Sequence, residues 1–318
     1  MRFIKKIFNF RESALLIMII LFALVLSISR PPFLNSINIF GILYSISINS
    51  IIIGAMTVLF VSGGFDMAVG SVLGLSGIIV GSLLLKGFSI PLAILITLLF
   101  GIVMGSLLGF FVSYIGINPF IVTLAGWFVY GALIFIVGKG SNLNGFPKAF
   151  GQISFHKVFN VPVIIIFAIF LIIVFELLLR KNRYFRNAFY IGGNELAAEL
   201  VGIPVKRIKF SFYILTSLTA SIAGIFMTAR FMAAYNVAGS ENAFQIITAV
   251  IIGGASLKGG KGSVLGSFLG LIFIALIYDA LVLYNANIIW NQVIIGITLV
   301  LAVLIDEKVQ KRGALIRG

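Results

Sequence analysis

The sequence predicts an all-α integral membrane protein, a polytopic bundle of about ten transmembrane helices. The chain has 318 residues, of which 61% are hydrophobic and only 10% are charged, whereas a soluble globular chain carries about 25% charged residues. Apolar runs of about 20 residues recur along the chain, and this length matches the hydrocarbon core of a bilayer. A membrane β-barrel would instead show short segments of alternating polarity, and no long alternation is present.

The apolar segments form one transmembrane domain over residues 1–318. Their approximate bounds are 13–29, 39–61, 67–85, 90–115, 119–138, 161–179, 210–229, 243–257, 263–284 and 288–305. The first segment follows Lys5-Lys6, as in a secretory signal, but no small-residue cleavage site follows it, so we predict a retained span. The eighth segment is short for a full crossing, and it either crosses fully or is a half-helix or re-entrant segment buried in protein.

The distribution of charge predicts that both termini lie in the cytoplasm. Lys and Arg accumulate in the cytoplasmic loops of membrane proteins. With a cytoplasmic N-terminus and ten crossings, 17 of the 23 basic residues fall on the cytoplasmic side. The outer side keeps Arg30, Lys86, Lys139, Lys148, Lys157 and Arg230. The net charge of +14 is therefore explained by the basic residues of the cytoplasmic loops. We predict the lipid bilayer as a partner and no nucleic-acid partner.

The most polar stretch of the chain is a predicted cytoplasmic loop at residues 180–209. Asn194 is a good N-cap residue, Glu195 places a carboxylate in the first turn, and good helix formers follow. Gly202 and Pro204 would end this short helix. The loop is either a solvated connector or a docking element for a cytoplasmic partner.

A helix break is predicted where Gly63-Gly64 and Asp66 separate two apolar segments. Two glycines cost a helix about 1 kcal/mol each relative to alanine, and an aspartate is costly inside a bilayer. Broken helices persist in membranes only inside protein or beside a wet cavity. We interpret Asp66 mainly as a structural acceptor for the N–H groups that begin the next helix, from Met67 onward. Direct contact with a transported solute is the alternative.

The composition offers little support for catalysis, and we predict no catalytic residue, no metal and no cofactor. The chain has one histidine and no cysteine, which excludes most metal sites. The stretch GGASLKGGKGS, residues 253–263, fails the spacing of a phosphate-binding loop. Among the acids in or beside spans, we expect Glu176 to pair with nearby basic residues, and Asp279 to hydrogen-bond another helix or face a pathway. Glu241 lies near an outer mouth.

Five stretches of the chain form a recognisable series. They are SGGFDMAVGSVLGLSG (62–77), INPFIVTLAGWFVYGALIFIVGKG (117–140), the loop and span at 190–230, AVIIGGASLKGGKGSVLGSFLG (249–270) and WNQVIIGITLVLAVLID (290–306). In this order they resemble the sugar permease subunits of bacterial ATP-binding-cassette (ABC) importers, the ribose-type group of the branched-chain amino acid/sugar permease superfamily. The resemblance covers nearly the whole chain. Ala68 stands where the family often has serine, and residues 236–241 match its outer-loop pattern only loosely.

The resemblance implies partners and a multi-pass location in the bacterial cytoplasmic membrane. The permease would pair with a second permease subunit, identical or homologous, bind a cytoplasmic ATP-binding subunit, and receive sugar from an extracytoplasmic sugar-binding protein. Residues 180–209 would form the coupling loop. By motif match, the residues at the ATPase contact would be Gly193, Asn194, Glu195, Ala197, Ala198, Gly202 and Ile203.

The predicted function is therefore sugar translocation by alternating access, powered by a separate ATPase. The same architecture importing a nucleoside, a branched-chain amino acid or a sugar-derived signal is an alternative, although no basic residue lies mid-span to bind a carboxylate. An ion-coupled carrier working alone is a rival of another class, and an intramembrane enzyme lacks paired catalytic residues. The helix-break residues Gly63, Gly64 and Asp66 are candidates for the solute pathway. The further candidates are Asn49, Ser62, Asn118, Thr123, Trp127, Asn285 and Asn291.

Overall fold

The structure is a computed structural model that describes residues 10–287 and 289–315. Thirteen α-helices lie in these residues. They are α1 (Phe10–Ser29), α2 (Ser36–Val61), α3 (Val69–Leu85), α4 (Ile90–Phe110), α5 (Pro119–Val137), α6 (Lys148–Phe155), α7 (Val163–Lys181), α8 (Arg183–Gly193), α9 (Glu195–Leu200), α10 (Val205–Phe231), α11 (Ser240–Ile252), α12 (Val264–Leu283) and α13 (Trp290–Leu315).

Short non-α elements lie between the helices. A 3-10 turn (Pro31–Leu34) precedes α2, and a π-helical turn (Phe111–Ile115) extends α4. Four two-residue strands form two antiparallel pairs. The strands are β1 (Leu143–Asn144), β2 (Lys157–Val158), β3 (Val161–Pro162) and β4 (Ala233–Ala234), with β1 paired to β4 and β2 to β3.

The described residues form a polytopic helical membrane protein. Seven helices are long and apolar enough to cross a membrane, and three apolar helices are shorter. Each of the ten predicted apolar segments coincides with one of these helices. The basic residues Arg2, Lys5, Lys6 and Arg317, which helped to orient the chain, lie outside the described residues. We call the end of the bundle that carries residues 180–209 the inner end, and the opposite end the outer end.

Helices α2 and α10 form the centre of the bundle. Helix α2 packs against α7, α10 and α12, and α10 also packs against α3 and α4. Ile51, Ile52 and Ile53 on α2 are completely buried. Helix pairs in lipid gain little from the hydrophobic effect, so close packing of small residues holds them together.

Glycines set the closest of these helix contacts. A Cβ at Gly224 of α10 would meet the carbonyl of Leu73 on α3, and one at Gly105 of α4 would lie 2.7 Å from the Cα of Ile214. At each of these positions the partner backbone occupies the space of a side chain. Such contacts are typical of the small-residue interfaces of membrane helices.

Helix α11 is too short to cross a bilayer by itself. Its 13 residues span about 20 Å at 1.5 Å per residue, against a hydrocarbon core of about 30 Å. The preceding residues, 232–239, are not helical and pack against α3, with Gly239 against the carbonyl of Gly70 and the carbonyl of Ala238 against Gly74. The eighth predicted segment is therefore a short helix of 13 residues, and it begins three residues earlier than predicted.

At the break between α2 and α3, most polar groups form hydrogen bonds inside the protein. Gly63 has a positive φ of 76°, a conformation that glycine adopts without strain. The Tyr213 hydroxyl of α10 donates to the carbonyl of Phe65 at 3.1 Å. Asp66 is completely buried, and its Oδ1 accepts from the N–H of Ala68 at 2.8 Å, while its Oδ2 has no partner. The carboxylate thus meets the backbone at the start of α3, as its structural interpretation requires.

Replacement of Gly224 by leucine should force α10 away from α3. We expect a lower thermal midpoint in detergent, corresponding to about 1–3 kcal/mol, because an overpacked contact strains both helices. Gly296→Ala is the control, since nothing lies within 4 Å of a Cβ at that position. An unchanged midpoint for Gly224→Leu would contradict the close approach of the two helices.

Replacement of Asp66 by alanine should lower the folding yield and the thermal midpoint, because the Ala68 N–H loses its acceptor. The loss of a side-chain acceptor at a helix start typically costs about 0.5–2 kcal/mol. Asp66→Asn keeps an oxygen acceptor and should be affected less. A fully stable Asp66→Ala protein with altered solute selectivity would show that the side chain acts on the solute instead.

Candidate functional site

A cavity opens in the outer half of the bundle, and we call it the polar cavity after its polar lining residues, although most of its lining is apolar. Its volume is about 650 Å³, and its walls come from α2, α10, α11 and α12. The cavity reaches Asn49, the fourteenth of the 26 residues of α2, so it extends about halfway along that helix. The polar lining residues are Asn38, Ser45, Asn49, Arg230, Glu241, Asn242, Gln245, Tyr278 and Asp279.

Three amide side chains meet at the deep end of this cavity. Asn49 donates from Nδ2 to Oε1 of Gln245 at 2.8 Å, and Asn242 donates from Nδ2 to Oδ1 of Asn49 at 2.6 Å. Asn242 and Gln245 lie three residues apart on α11, so they share one helix face. We call Asn49, Asn242 and Gln245 the amide cluster. Because buried amides need partners in a membrane, the cluster joins α2 to α11.

Charged groups line the outer part of the cavity. Arg230, at the outer end of α10, lies with its guanidinium carbon 4.8 Å from the ring centre of Tyr44, a cation–π contact. Asp279 accepts from Nδ2 of Asn38 at 3.0 Å. It therefore both joins α12 to α2 and faces the cavity, combining the two roles that the sequence left open. Glu241 accepts from Nε2 of Gln292 at 2.7 Å.

Of the candidate pathway residues, Asn49 alone lines this cavity. Ser62 and Thr123 donate to backbone carbonyls of their own helices, and Asn118 caps α5 by accepting from the N–H of Phe120 at 2.9 Å. Asn285 is exposed in a turn with positive φ, and Asn291 is buried at the start of α13.

Trp127 lies in a different place from the polar cavity. It borders a shallower depression of about 420 Å³ between α5 and residues 236–240. The hydroxyl of Ser71 donates to its carbonyl, and its ring contacts Phe244 edge to face. The structure therefore does not bring Trp127 and Asn49 together in one pocket.

Several cavity residues were not predicted from the sequence. Asn242 and Gln245 had a readable signal, because two amides three residues apart in an apolar segment mark one polar helix face. Arg230 was not predicted because it lies at the end of a span, and only basic residues in the middle of spans were considered from the sequence. Asn38 lies in the first turn of α2, and only the tertiary structure shows its contact with Asp279.

Residues 180–209, which we call the coupling loop after their predicted role, fold as helices α8 and α9 followed by the start of α10. The predicted cap is confirmed: Asn194 Oδ1 accepts from the N–H of Ala197 at 3.0 Å. The predicted end is also confirmed, since Gly202 has a φ of 82° and Pro204 precedes α10. Lys209 donates to Glu195 at 2.7 Å, and this ion pair joins α9 to α10.

Large apolar side chains are exposed on α9 and at the residue after it, beside the exposed carboxylates Glu195 and Glu199. Leu196, Leu200 and Val201 are 74%, 88% and 76% exposed, although none was among the residues predicted for partner contact. Of that predicted set, Ala198 is buried and Ile203 is half-buried, so these two side chains seat α9 on the protein. The exposed members of the set are Gly193, Asn194, Glu195, Ala197 and Gly202.

Glycine backbones connect the coupling loop to the break between α2 and α3 and to the loop between α11 and α12. A Cβ at Gly192, near the end of α8, would meet the carbonyl of Val61 and the backbone of Gly260. The N–H of Gly260 donates to the carbonyl of Val61 at 2.8 Å. A Cβ at Gly259 would lie 2.8 Å from the nitrogen of Gly63. We call Gly63, Gly192, Gly259 and Gly260 the glycine junction.

Carboxylates stabilise the start of α12 at the same end of the bundle. Glu176 of α7 pairs with Arg180, as predicted. Its Oε2 also accepts from the N–H groups of Val264 and Leu265 at 2.8 and 3.1 Å, which the sequence did not predict. Ser263 caps the same helix and donates to Glu12. Negative groups at a helix N-terminus complement its dipole.

Comparisons with known proteins identify similar chains. A family model for the permease component of branched-chain amino acid transport systems matches residues 38–303. The chain is 39% identical to the probable ABC transporter permease y4mJ of Sinorhizobium fredii, over 80% of this chain and 77% of that protein. It is 32% identical to the ribose import permease RbsC of Bacillus subtilis, over 90% and 89% of the two chains.

A further relative is the autoinducer 2 import system permease LsrD of Salmonella paratyphi A, which is 33% identical over 85% of this chain and 83% of that protein. No solved structure matches the chain. The match at residues 38–303 includes the whole polar cavity, the coupling loop and the glycine junction. The chain is thus a transport subunit and not an enzyme, and it belongs to the permease-component family of branched-chain amino acid transport systems.

Proposed function

We propose that this chain is the permease subunit of a bacterial ABC importer that moves a monosaccharide, ribose or another simple sugar, across the cytoplasmic membrane. The relatives include a ribose import permease and an autoinducer 2 import permease, each aligned over at least 85% of this chain. The observation that carries the proposal is the polar cavity, because its amide cluster and neighbouring groups suit a neutral solute rich in hydroxyl groups.

The chemistry of the cavity lining matches a sugar in two respects. A sugar hydroxyl both donates and accepts hydrogen bonds, and an amide side chain also does both. The cavity of about 650 Å³ lies in the range of about 300–1,000 Å³ that is usual for small-molecule sites. A monosaccharide could therefore exchange its hydrogen bonds to water for bonds to Asn49, Asn242 and Gln245.

A branched-chain amino acid is the second candidate, and a specific observation favours it. Arg230 and Asp279 face the same cavity, and an amino acid carries one charge of each sign. However, the relatives whose names give a solute are a ribose import permease and an autoinducer 2 import permease. We therefore rank the sugar first.

The proposed architecture follows from the segments and charges of the sequence. The ten apolar helices would form ten membrane segments with both termini in the cytoplasm, and residues 1–318 would form a single permease domain. Two such chains, identical or homologous, would pair. A sugar-binding protein would deliver solute to the outer end, and an ATP-binding subunit would dock at the inner end.

The coupling loop would transmit the ATPase cycle to the permease. Leu196, Leu200 and Val201 offer a protruding apolar surface at the inner end, and exposed apolar patches of this kind mark interaction sites. The proposed contact residues would surround this surface or pack beneath it. They are Gly193, Asn194, Glu195, Ala197, Ala198, Gly202 and Ile203. ATP binding would then shift the population between outward-facing and inward-facing states.

Uptake by the reconstituted importer tests the proposed solute. The permease, its ATP-binding subunit and its binding protein should together accumulate radiolabelled ribose in proteoliposomes only when ATP is supplied on the ATPase side. Unlabelled leucine and uridine should not compete. ATP-dependent accumulation of radiolabelled leucine but not of ribose would establish the second candidate. Accumulation driven by a proton gradient without ATP would contradict both and support an ion-coupled carrier.

Substitution of Leu200 by aspartate should weaken docking of the ATP-binding subunit. A buried apolar anchor typically contributes about 2 kcal/mol or more to an interface, so we expect roughly 30-fold weaker binding and loss of ATP-driven uptake. Phe159→Asp is the matched control, because Phe159 is also a highly exposed apolar residue but lies in the β2–β3 turn, away from the coupling loop.

Binding is measured by titrating the permease with the purified ATP-binding subunit. Wild-type affinity of Leu200→Asp would place the ATPase contact elsewhere.

A further inference from the structure

A shallow hollow lies on the surface of α7 near the inner end of the bundle. Its volume is about 470 Å³, and it is lined by Val174, Leu177, Leu178, Lys181 and Asn182. The first four of these residues occupy positions i, i+3, i+4 and i+7 of α7, so they form one stripe about 10 Å long on the helix surface. The hollow is therefore apolar along the helix and polar at one end, where α7 ends and α8 begins.

The apolar part of the hollow belongs to a face of α7 that is open to lipid. Ile166, Phe170 and Ile173 are exposed on this helix, and Leu177 in the hollow is exposed as well. These positions recur at intervals of three or four residues, as expected for one helix face. Because α7 is long and apolar enough to cross a membrane, this face lies against acyl chains. A cytoplasmic protein could not fill the apolar part of the hollow without entering the hydrocarbon core.

The polar end of the hollow carries positive charge that the described residues do not neutralise. Lys181 and Arg183 are exposed, as is Arg186 one turn later. Within the described part of the chain, none of the three forms an ion pair, and Glu176 and Glu195 are each paired with another basic residue. No acidic residue lies between these two glutamates in the sequence. An anion that balances this charge must therefore come from another molecule.

The start of α8 adds to this positive charge. Asn182 caps the helix by accepting from the N–H of Tyr184 at 2.9 Å, and the first turn of α8 contains no acidic residue. The N-terminus of a helix is equivalent to about half a positive charge, so a cation at Arg183 is unfavourably placed by itself. An anion at the polar end of the hollow would attract both the helix N-terminus and the basic side chains.

We propose that this hollow binds an anionic phospholipid of the leaflet at the inner end. One acyl chain lies along Val174 and Leu177, and the headgroup phosphate contacts Lys181 and the start of α8. A phospholipid supplies both an apolar chain and an anionic head, whereas free phosphate or a soluble acidic protein supplies only the anion. The bound lipid neutralises the corner from which the coupling loop extends. This inference is independent of the transported solute and of the residues proposed to contact the ATP-binding subunit.

Lipid binding to the purified permease tests the proposal. The chain in detergent is titrated with phosphatidylglycerol, which has a net negative charge, or with phosphatidylcholine, which has none, and bound lipid is counted by native mass spectrometry. We expect phosphatidylglycerol to bind at least about fivefold more tightly, the factor that one basic residue contributes near an anionic lipid surface. Equal binding of the two lipids by the wild-type chain would overturn the proposal.

Two variants locate the binding site. Lys181→Gln/Arg183→Gln should bind the two lipids equally, because it removes the charges beside the hollow. Its matched control is Lys148→Gln/Lys157→Gln, which removes two exposed lysines at the outer end and should keep the preference for phosphatidylglycerol. A wild-type preference in Lys181→Gln/Arg183→Gln would show that the lipid does not bind at this hollow.

A change of shape without a change of charge tests the apolar part of the site. Val174→Trp should weaken phosphatidylglycerol binding, because the indole would occupy the space of the acyl chain. Ile169→Trp is the control, since Ile169 is exposed on the same helix but lies outside the hollow. Wild-type affinity of Val174→Trp would contradict the proposed position of the acyl chain.

A final measurement separates a lipid from a protein partner. The affinity of the ATP-binding subunit is measured for the wild-type chain and for Lys181→Gln/Arg183→Gln in nanodiscs of pure phosphatidylcholine. We expect equal affinities and equal thermal midpoints, because no anionic lipid is present in either sample. Weaker binding of the ATP-binding subunit by the variant, with an unchanged lipid preference in detergent, would make the basic corner a protein contact and overturn the proposal.

Discussion

The structure depends on one constraint: inside a bilayer, a backbone or side-chain polar group is costly unless it has a partner within the protein or lies in a wet cavity. The interrupted segments show how this chain meets the constraint. Asp66 accepts from the backbone where α3 begins, and Glu176 accepts from two N–H groups where α12 begins. Tyr213 reaches the Phe65 carbonyl from a third helix. The start of α3 is therefore stabilised by the neighbouring Asp66 and the break before it by Tyr213 of α10. The start of α12 is stabilised by Glu176 of α7, so the breaks become points where helices are joined.

Glycine allows these breaks to pack against each other. Gly63, Gly259 and Gly260 have positive φ values of 76°, 84° and 74°, which residues with a Cβ adopt only at a cost. Their lack of side chains also lets the backbones of three separate segments touch at the junction. Packed interfaces of this kind do not deform continuously, and small shifts convert into alternative arrangements of the whole contact. The glycines thus connect the α2–α3 break and the loop between α11 and α12 to the coupling loop through direct backbone contacts.

The sequence predicted the helical framework well and the cavity poorly. The ten apolar segments and the cap at Asn194 depend on local patterns, because span length and capping are properties of neighbouring residues. The meeting of Asn38 with Asp279, or of Asn49 with Gln245, depends on how distant helices pack, and no local pattern encodes it. The exposed face of α9 was missed for a different reason. Leu196 and Leu200 resemble ordinary core residues in sequence, and only the fold shows that they face outward.

Because α11 is short, its first turns line the polar cavity and its last residues lead to the glycine junction. Because residues 232–239 are non-helical, the helix begins at Ser240, at the depth where Gly239 meets Gly70 near the start of α3. Asn242 and Gln245 in its first two turns consequently lie deep in the bundle beside Asn49, while its last residues lead into the glycine junction. A full-length helix would carry its first turns to the outer surface instead. The short helix therefore places the amides that line the cavity and the connection to the coupling loop fewer than four turns apart.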